Sequence, residues 1–177
     1  GDGSRFGVRM RYSDETSELL ETAGALKKAE PLLSDTFLLL YGDHAHRFNF
    51  KDAVAFHKRH GGMVTTILKK SRNPQNGEVW ETDPASSRIV AGHIRPHAVT
   101  EYAPNMRSNS GLYVLSKKLI SGIPADRPVK LDAEIMPQLI AAGEAYGFLT
   151  DEPVFDIGTS EKLRFAEDWY ASRLQSS

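Results

Sequence analysis

Cysteine is absent from the 177 residues, which excludes a disulfide framework and thiolate chemistry and suits the cytoplasm. Long apolar runs are missing too. The longest are strand-sized, against the ~20 residues of a membrane helix, and no charged-then-apolar leader opens the chain, so no membrane association is expected. An excess of charge of either sign is also lacking: 22 Lys and Arg against 23 Asp and Glu leave a formal net charge of -1. With no basic stripe interleaved with aromatics, nucleic acid is not an expected partner. Neither repeats nor low-complexity linkers divide the sequence. A content of 40% hydrophobic and 25% charged residues fits one domain with a real core.

Hydrophobic spacing predicts alternating strands and helices. "FGVRMRY" (6–12) alternates apolar and polar positions at the period of a strand. "TAGALKKAEPLL" combines strong helix formers after a small-residue start, predicting a helix from near Thr22. "TFLLLY" and "MVTTIL" read as strands buried on both faces. Between them, Phe50, Ala53, Val54 and His57 recur at helical spacing up to Gly61-Gly62. Together these predict a right-handed βαβ unit. Asn-Gly and Asp-Pro punctuation in "NPQNGEVWETDPASSRIV" predicts antiparallel hairpin strands, and "SGLYVLS" a core strand. A helix is expected from Asp132, with Pro137 tolerated near its start, then two short strands within "AYGFLTDEPVFDIG", then a last helix from about Thr159 with Leu163, Ala166, Tyr170 and Leu174 on one face. The fold class read from this pattern is α/β, a mixed and mainly parallel sheet with helices on both faces.

In such sheets ligands bind just beyond the carboxyl ends of the strands. Two acids stand there: Asp43, after the apolar run Phe37–Tyr41 and Gly42, and Asp156, after Val154-Phe155 and before Gly158 and a helix start. A strand-end carboxylate can hold a divalent cation against a phosphate. It can equally begin a turn or cap a helix.

The segments "GDGSRFG", "LLETAGAL", "LLLYGD", "NSGLYV", "KLDAEIMPQL" and "FDIGTSEKL" occur in an order that resembles the sugar-1-phosphate nucleotidyltransferases across the whole chain. "IRPH" (94–97) is most similar to the branch that makes GDP-activated heptose or mannose. The resemblance implies a Rossmann-like, glycosyltransferase-A-like fold. It also implies transfer of a nucleotidyl group from a nucleoside triphosphate, GTP favoured, to a sugar 1-phosphate with release of pyrophosphate. By position, Asp43 and Asp156 match the catalytic acids that hold Mg²⁺. Thr22, Ala23 and Gly24 match the turn against the nucleotide, while Gly77, Asn109, Gly111 and Asp132 match the sugar-phosphate side.

Glu21 stands where the family commonly has glycine, and Asp132 is one methylene shorter than the usual glutamate. The family's N-terminal strand and its Gly-Gly-x-Gly-Thr-Arg loop have no counterpart in this sequence. The expectation is therefore one nucleotidyltransferase domain over 1–177 that lacks its N-terminal strand and loop. A catalytically silent nucleotide-sugar-binding regulatory subunit and a nucleotide-sugar-dependent glycosyltransferase are the alternatives. Self-association into a homo-oligomer is left open. His44 and His46 with Asp43 lack further ligands at zinc-like spacing. Lys69, Lys70 and Arg72 read as a solvated loop, with phosphate contact the alternative, and Trp80, Trp169, Tyr113 and Tyr146 read as packing residues.

Overall fold

Five consecutive residues with almost no solvent exposure, Val64 to Leu68, make β3 (Val64–Lys69) the interior strand of this computed structural model, which describes residues 1–15, 18–71, 73–125 and 127–174. Before β3 come α1 (Glu21–Ala29), β1 (Thr36–Leu40), β2 (His44–His46) and α2 (Phe50–His60). After it come β4 (Val79–Thr82), β5 (Ile89–His93), β6 (Met106–Ser116), α3 (Met136–Ala141), β7 (Ala145–Leu149), β8 (Val154–Asp156) and α4 (Ser160–Leu174). None of the helices among the described residues is long and apolar enough to cross a membrane.

The expected helices and most of the expected strands form where the periodicity puts them. At the start of α2, the Lys51 N–H donates to the Asn49 side chain at 3.0 Å, satisfying one of the amides a helix start leaves unpaired. Its Ala53, Phe56 and His57 turn inward, and His57 Nδ1 meets Thr65 Oγ1 at 3.0 Å, fastening the helix to β3. The helix expected at Asp132 opens as a wide π turn, Leu131–Ile135, before α3. Pro137 falls in the first turn of α3, where its missing N–H costs nothing. Along α4, Ala166 is buried but Leu163 stays exposed, and the ring of Phe155 packs on Phe165, Trp169 and Tyr170 instead.

The sheet is mixed, in the order β5-β4-β6-β3-β7, with β1 added to β6. Among the described strands only β3 and β7 pair in parallel, and β1, β3 and β4 all run antiparallel to β6. The expectation of mainly parallel pairing is corrected by that one strand. Val114 of β6 faces Leu38 on one edge and Thr65 on the other. The two strands of the βαβ unit therefore do run parallel, but β6 lies between them. An apolar run reports burial and not the direction of the neighbour, so an inserted antiparallel strand reads the same way in sequence.

Two further expectations are corrected. β1 is not covered on both faces: Phe37 and Leu39 pack on the core while Leu38 and Leu40 are 38% and 42% exposed. The segment 6–12 forms no strand, and Phe6, Val8, Met10 and Tyr12 are all exposed. Here the chain folds back on itself, with the Val8 N–H on the Gly3 carbonyl and the Met10 N–H on that of Asp2. A period-two pattern without a partner edge has no ladder to join.

The antiparallel β4–β5 hairpin is packed to contact. A Cβ added at Gly92 would lie 2.2 Å from the fully buried ring of Trp80. Gly92→Ala is expected to destabilise the protein by about 1 to 3 kcal/mol, the usual cost of overpacking. Chemical denaturation measures this, and an unchanged midpoint would mean that the ring has room to move.

Candidate active site

A cleft of about 840 Å³ opens beyond the carboxyl ends of β1 and β3, and Asp43, His44, Gly77, Asn109, Gly111 and Asp156 are among its lining residues. Its outer wall is built by a short antiparallel pair. The chain leaves β1 through Gly42, and β2 pairs with β8 so that His44 stands opposite Asp156. The Ile157 N–H closes the pair by donating to the Asp43 carbonyl at 2.7 Å.

The two acids are thereby brought together. A Cβ on Gly158 would sit 3.2 Å from Asp156 Oδ1 and 3.4 Å from Asp43 Oδ2, so both carboxylates converge beside the Gly158 backbone. Lys162 donates to Asp156 at 2.6 Å and the Gly158 N–H at 2.9 Å, and these two bonds hold that carboxyl below its ordinary range. His44 Nδ1 lies 2.7 Å from the Ser110 carbonyl, which can only accept, so Nδ1 carries the proton and Nε2 is left 3.8 Å from Asp43 Oδ1. Gly111, at φ +71°, lets β6 pass beneath that ring: a Cβ there would lie 2.5 Å from His44 atoms.

Asn109 is locked at both ends of its amide. Oδ1 accepts from Thr66 Oγ1 at 3.0 Å and from the Gly111 N–H at 3.1 Å, while Nδ2 donates to the Tyr113 hydroxyl and, at 3.3 Å, to Asp132. Asp132 does not line the cleft. It lies beneath it, accepting from Tyr113 at 2.9 Å and from Tyr41 at 3.1 Å. Burial raises its pKa to about 6, with the Tyr113 hydrogen bond acting in the opposite direction. Burial followed by the Asp132 charge raises the pKa of the Tyr41 and Tyr113 hydroxyls as well.

Thr22, Ala23 and Gly24 lie in the first turn of α1, apart from the lining. The amides of Ala23 and Gly24 both point at the Val129 carbonyl, at 2.9 and 3.3 Å, and the Thr22 side chain reaches the Tyr41 hydroxyl. Glu21, in the position of the family's glycine, takes φ +60°, the left-handed conformation that glycine adopts without steric cost. Gly77 lines the cleft and accepts from His97 Nε2 at 2.8 Å.

Several cleft residues carry no signal in the sequence, among them Tyr41, which ends an apolar run and reads as core, Lys162, which sits in the first turn of α4, and Arg95, which falls within "IRPH" and pairs with Glu78 at 2.9 Å. Lys69 lines the cleft, Lys70 faces neighbouring surface hollows, and Arg72 lies outside the described residues. Among the described residues no group of three or more His, Asp or Glu is arranged to hold a metal ion. Two carboxylates suit a small hard cation that completes its shell with water and phosphate oxygens.

The raised pKa of Asp132 has a pH signature. Its stabilising contribution is fully present below the unfolded carboxyl value of 3.8 and is lost as pH rises through about 6. Asp132→Asn should therefore cost about 2 kcal/mol more at pH 4 than at pH 7 in denaturant titrations. A penalty that is flat or grows with pH would contradict the buried, proton-retaining carboxyl. Relieving the strained turn by Glu21→Gly should change stability in the other direction, adding up to about 1 kcal/mol, and a loss in the same titrations would show that the Glu21 side chain outweighs the strain.

Residues 1–173 match the family described as Nucleotidyl transferase. The chain is 32% identical over 157 residues to a mannose-1-phosphate guanyltransferase of Eremothecium gossypii, covering 87% of this chain and 42% of that protein. It is 30% identical over 163 residues to the mannose-1-phosphate guanylyltransferase of Mycobacterium tuberculosis, covering 91% and 44%. The chain thus spans less than half the length of these relatives. In structure it is similar to HddC from Yersinia pseudotuberculosis complexed with GMP-PN, with a TM-score of 0.66 at 21% identity over 87% of this chain and 64% of that one. A Bacillus anthracis structure, provisionally described as a glucose-1-phosphate thymidylyltransferase, gives a TM-score of 0.78 at 19% identity over 96% and 68%. The chain belongs to the nucleotidyl transferase family.

Proposed function

We propose that the protein carrying this chain transfers a nucleotidyl group from a nucleoside triphosphate, GTP favoured, to a sugar 1-phosphate, with Mg²⁺ held by Asp43 and Asp156. The observation that carries this reading is the convergence of those two carboxylates at a cleft whose other wall presents Asn109, Gly111 and Gly77. The preference for GTP and mannose 1-phosphate rests on the names of the relatives.

A phosphate oxygen of the sugar 1-phosphate attacks the α-phosphorus in line. The new P–O bond forms as the bond to the β-phosphate oxygen breaks, and pyrophosphate leaves, so the protein's work is positioning and charge neutralisation. Mg²⁺ bound at the two acids would offset phosphate charge. Asp43 is delivered by the turn that follows β1, whose Tyr41 also lines the cleft, and Lys162 holds the Asp156 carboxylate in place. Asn109, Gly111 and Gly77 stand on the sugar side, and Asp132 fixes the Asn109 amide from below. Thr22, Ala23 and Gly24 serve the nucleotide side, linked to the cleft through Tyr41.

The proposed enzyme also has a strand and glycine-rich loop beyond these residues, whose amides and arginine would cradle the triphosphate. In support, the second edge of β1 carries no ladder among the described residues, and Leu38 and Leu40 are exposed beside it.

Pyrophosphate release from GTP and mannose 1-phosphate with Mg²⁺ tests the activity in the whole protein. No release with any pairing of nucleoside triphosphate and hexose 1-phosphate would overturn it. Asp43→Asn and Asp156→Asn should each lower kcat by about 100-fold or more, as removal of a transition-state charge contact does, with smaller changes in KM. Turnover unchanged in both variants would remove the two acids from the mechanism.

A further inference from the structure

Among the described residues, three Lys or Arg side chains line the cleft, and two already have a carboxylate partner: Arg95 pairs with Glu78 at 2.9 Å and Lys162 with Asp156 at 2.6 Å. Lys69 has none among the described residues. Its ammonium donates to the carbonyl of Val154, and it ends β3 half-buried, directly after five buried residues. A lysine Nζ carries three donors, so two remain for another acceptor. Burial lowers its proton affinity, with only the Asp156 charge opposing. Keeping a half-buried ammonium without a counter-charge is costly, and it is a common arrangement where an anionic ligand supplies the missing charge.

Its place in the sheet says which anion. In the β3–β6 ladder Lys69 stands opposite Ser108 and Leu68 opposite Asn109. On the other side its nitrogen bonds to Val154, two residues before Asp156. Lys69 therefore lies between the sugar-side group Asn109 and the acid Asp156. A sugar 1-phosphate that sets its hydroxyls toward Asn109 and its reacting oxygen toward the acids must carry its phosphate across Lys69. Without that ammonium the phosphate dianion would face Glu78 with Arg95 and Lys162 already engaged, leaving only the cation proposed at Asp43 and Asp156 to offset its charge.

We infer that Lys69 binds the phosphate of the sugar 1-phosphate, donating its two free N–H groups to phosphate oxygens while Val154 holds the third. This rests on the function proposed above. The test is calorimetric titration of the whole protein with mannose 1-phosphate, mannose and GTP. Lys69→Met keeps the apolar stem and should weaken mannose 1-phosphate about 10- to 100-fold, while mannose and GTP change less than about 3-fold. Lys69→Arg should restore part of the loss. Equal weakening of mannose and mannose 1-phosphate would mean that Lys69 supports the fold, and unchanged binding of mannose 1-phosphate would mean that it does not touch the phosphate; either overturns the inference and leaves the proposed function standing. If the unaltered protein binds no sugar 1-phosphate at all, the proposed function fails and this inference with it. Should Lys69→Met not fold, ³¹P resonance of mannose 1-phosphate bound to the unaltered protein decides: an adjacent ammonium lowers the second phosphate pKa, and a pKa equal to that of the free ligand overturns the contact.

Discussion

The pairing of β2 with β8 is the constraint on which the cleft depends. These two segments of three residues each lie outside the main sheet, more than a hundred positions apart in the chain, and the Ile157 N–H on the Asp43 carbonyl closes their contact. Asp43 is fixed to the end of β1 and Asp156 to the start of α4, so their separation is set by this ladder and not by either strand alone. Gly158 leaves room for both carboxylates to approach one point. Antiparallel pairs this short are weak by themselves. Here Val154 is buried against Ile67, Leu112 and Val114, and Phe155 is covered by rings from α4, so the wall of the cleft is held by packing at its back.

Beneath the cleft a second constraint joins β1, β6 and the π turn before α3. Asp132 gathers Tyr41, Tyr113 and Asn109 around one buried carboxylate, and the Tyr41 N–H adds a backbone bond to the Gly111 carbonyl at 3.1 Å. Polar networks of this kind are stabilising only when every member is satisfied. Asn109, with all its strong positions engaged, is held in one orientation.

Much of this was legible in the sequence, and the exceptions share a cause. Helix starts and the β4–β5 hairpin carry local signals, caps and turn residues, and these formed where expected. The strand-end position of both acids was equally readable, because an apolar run that stops at Gly-Asp or Phe-Asp marks its own end. Strand direction was not, since Leu38 and Thr65 flank Val114 in the ladder whether or not the strand between them is parallel. The segment 6–12 has the right alternation but no edge to join. The sugar-side match of Asp132 hid its burial beneath the cleft, and the part played by Tyr41, Lys162 and Arg95 depends on contacts between distant segments that no periodicity encodes.

On the proposed function, Asp43 and Asp156 share one divalent cation. The test is Mn²⁺ affinity in the presence of GTP, followed by electron paramagnetic resonance across Asp43→Asn, Asp156→Asn and the double variant. Two ligands of one ion are coupled, so each single variant should lose most of the affinity and the double variant should lose little more. Losses that simply add, or single variants that bind Mn²⁺ as the unaltered protein does, would show that the two carboxylates do not share an ion.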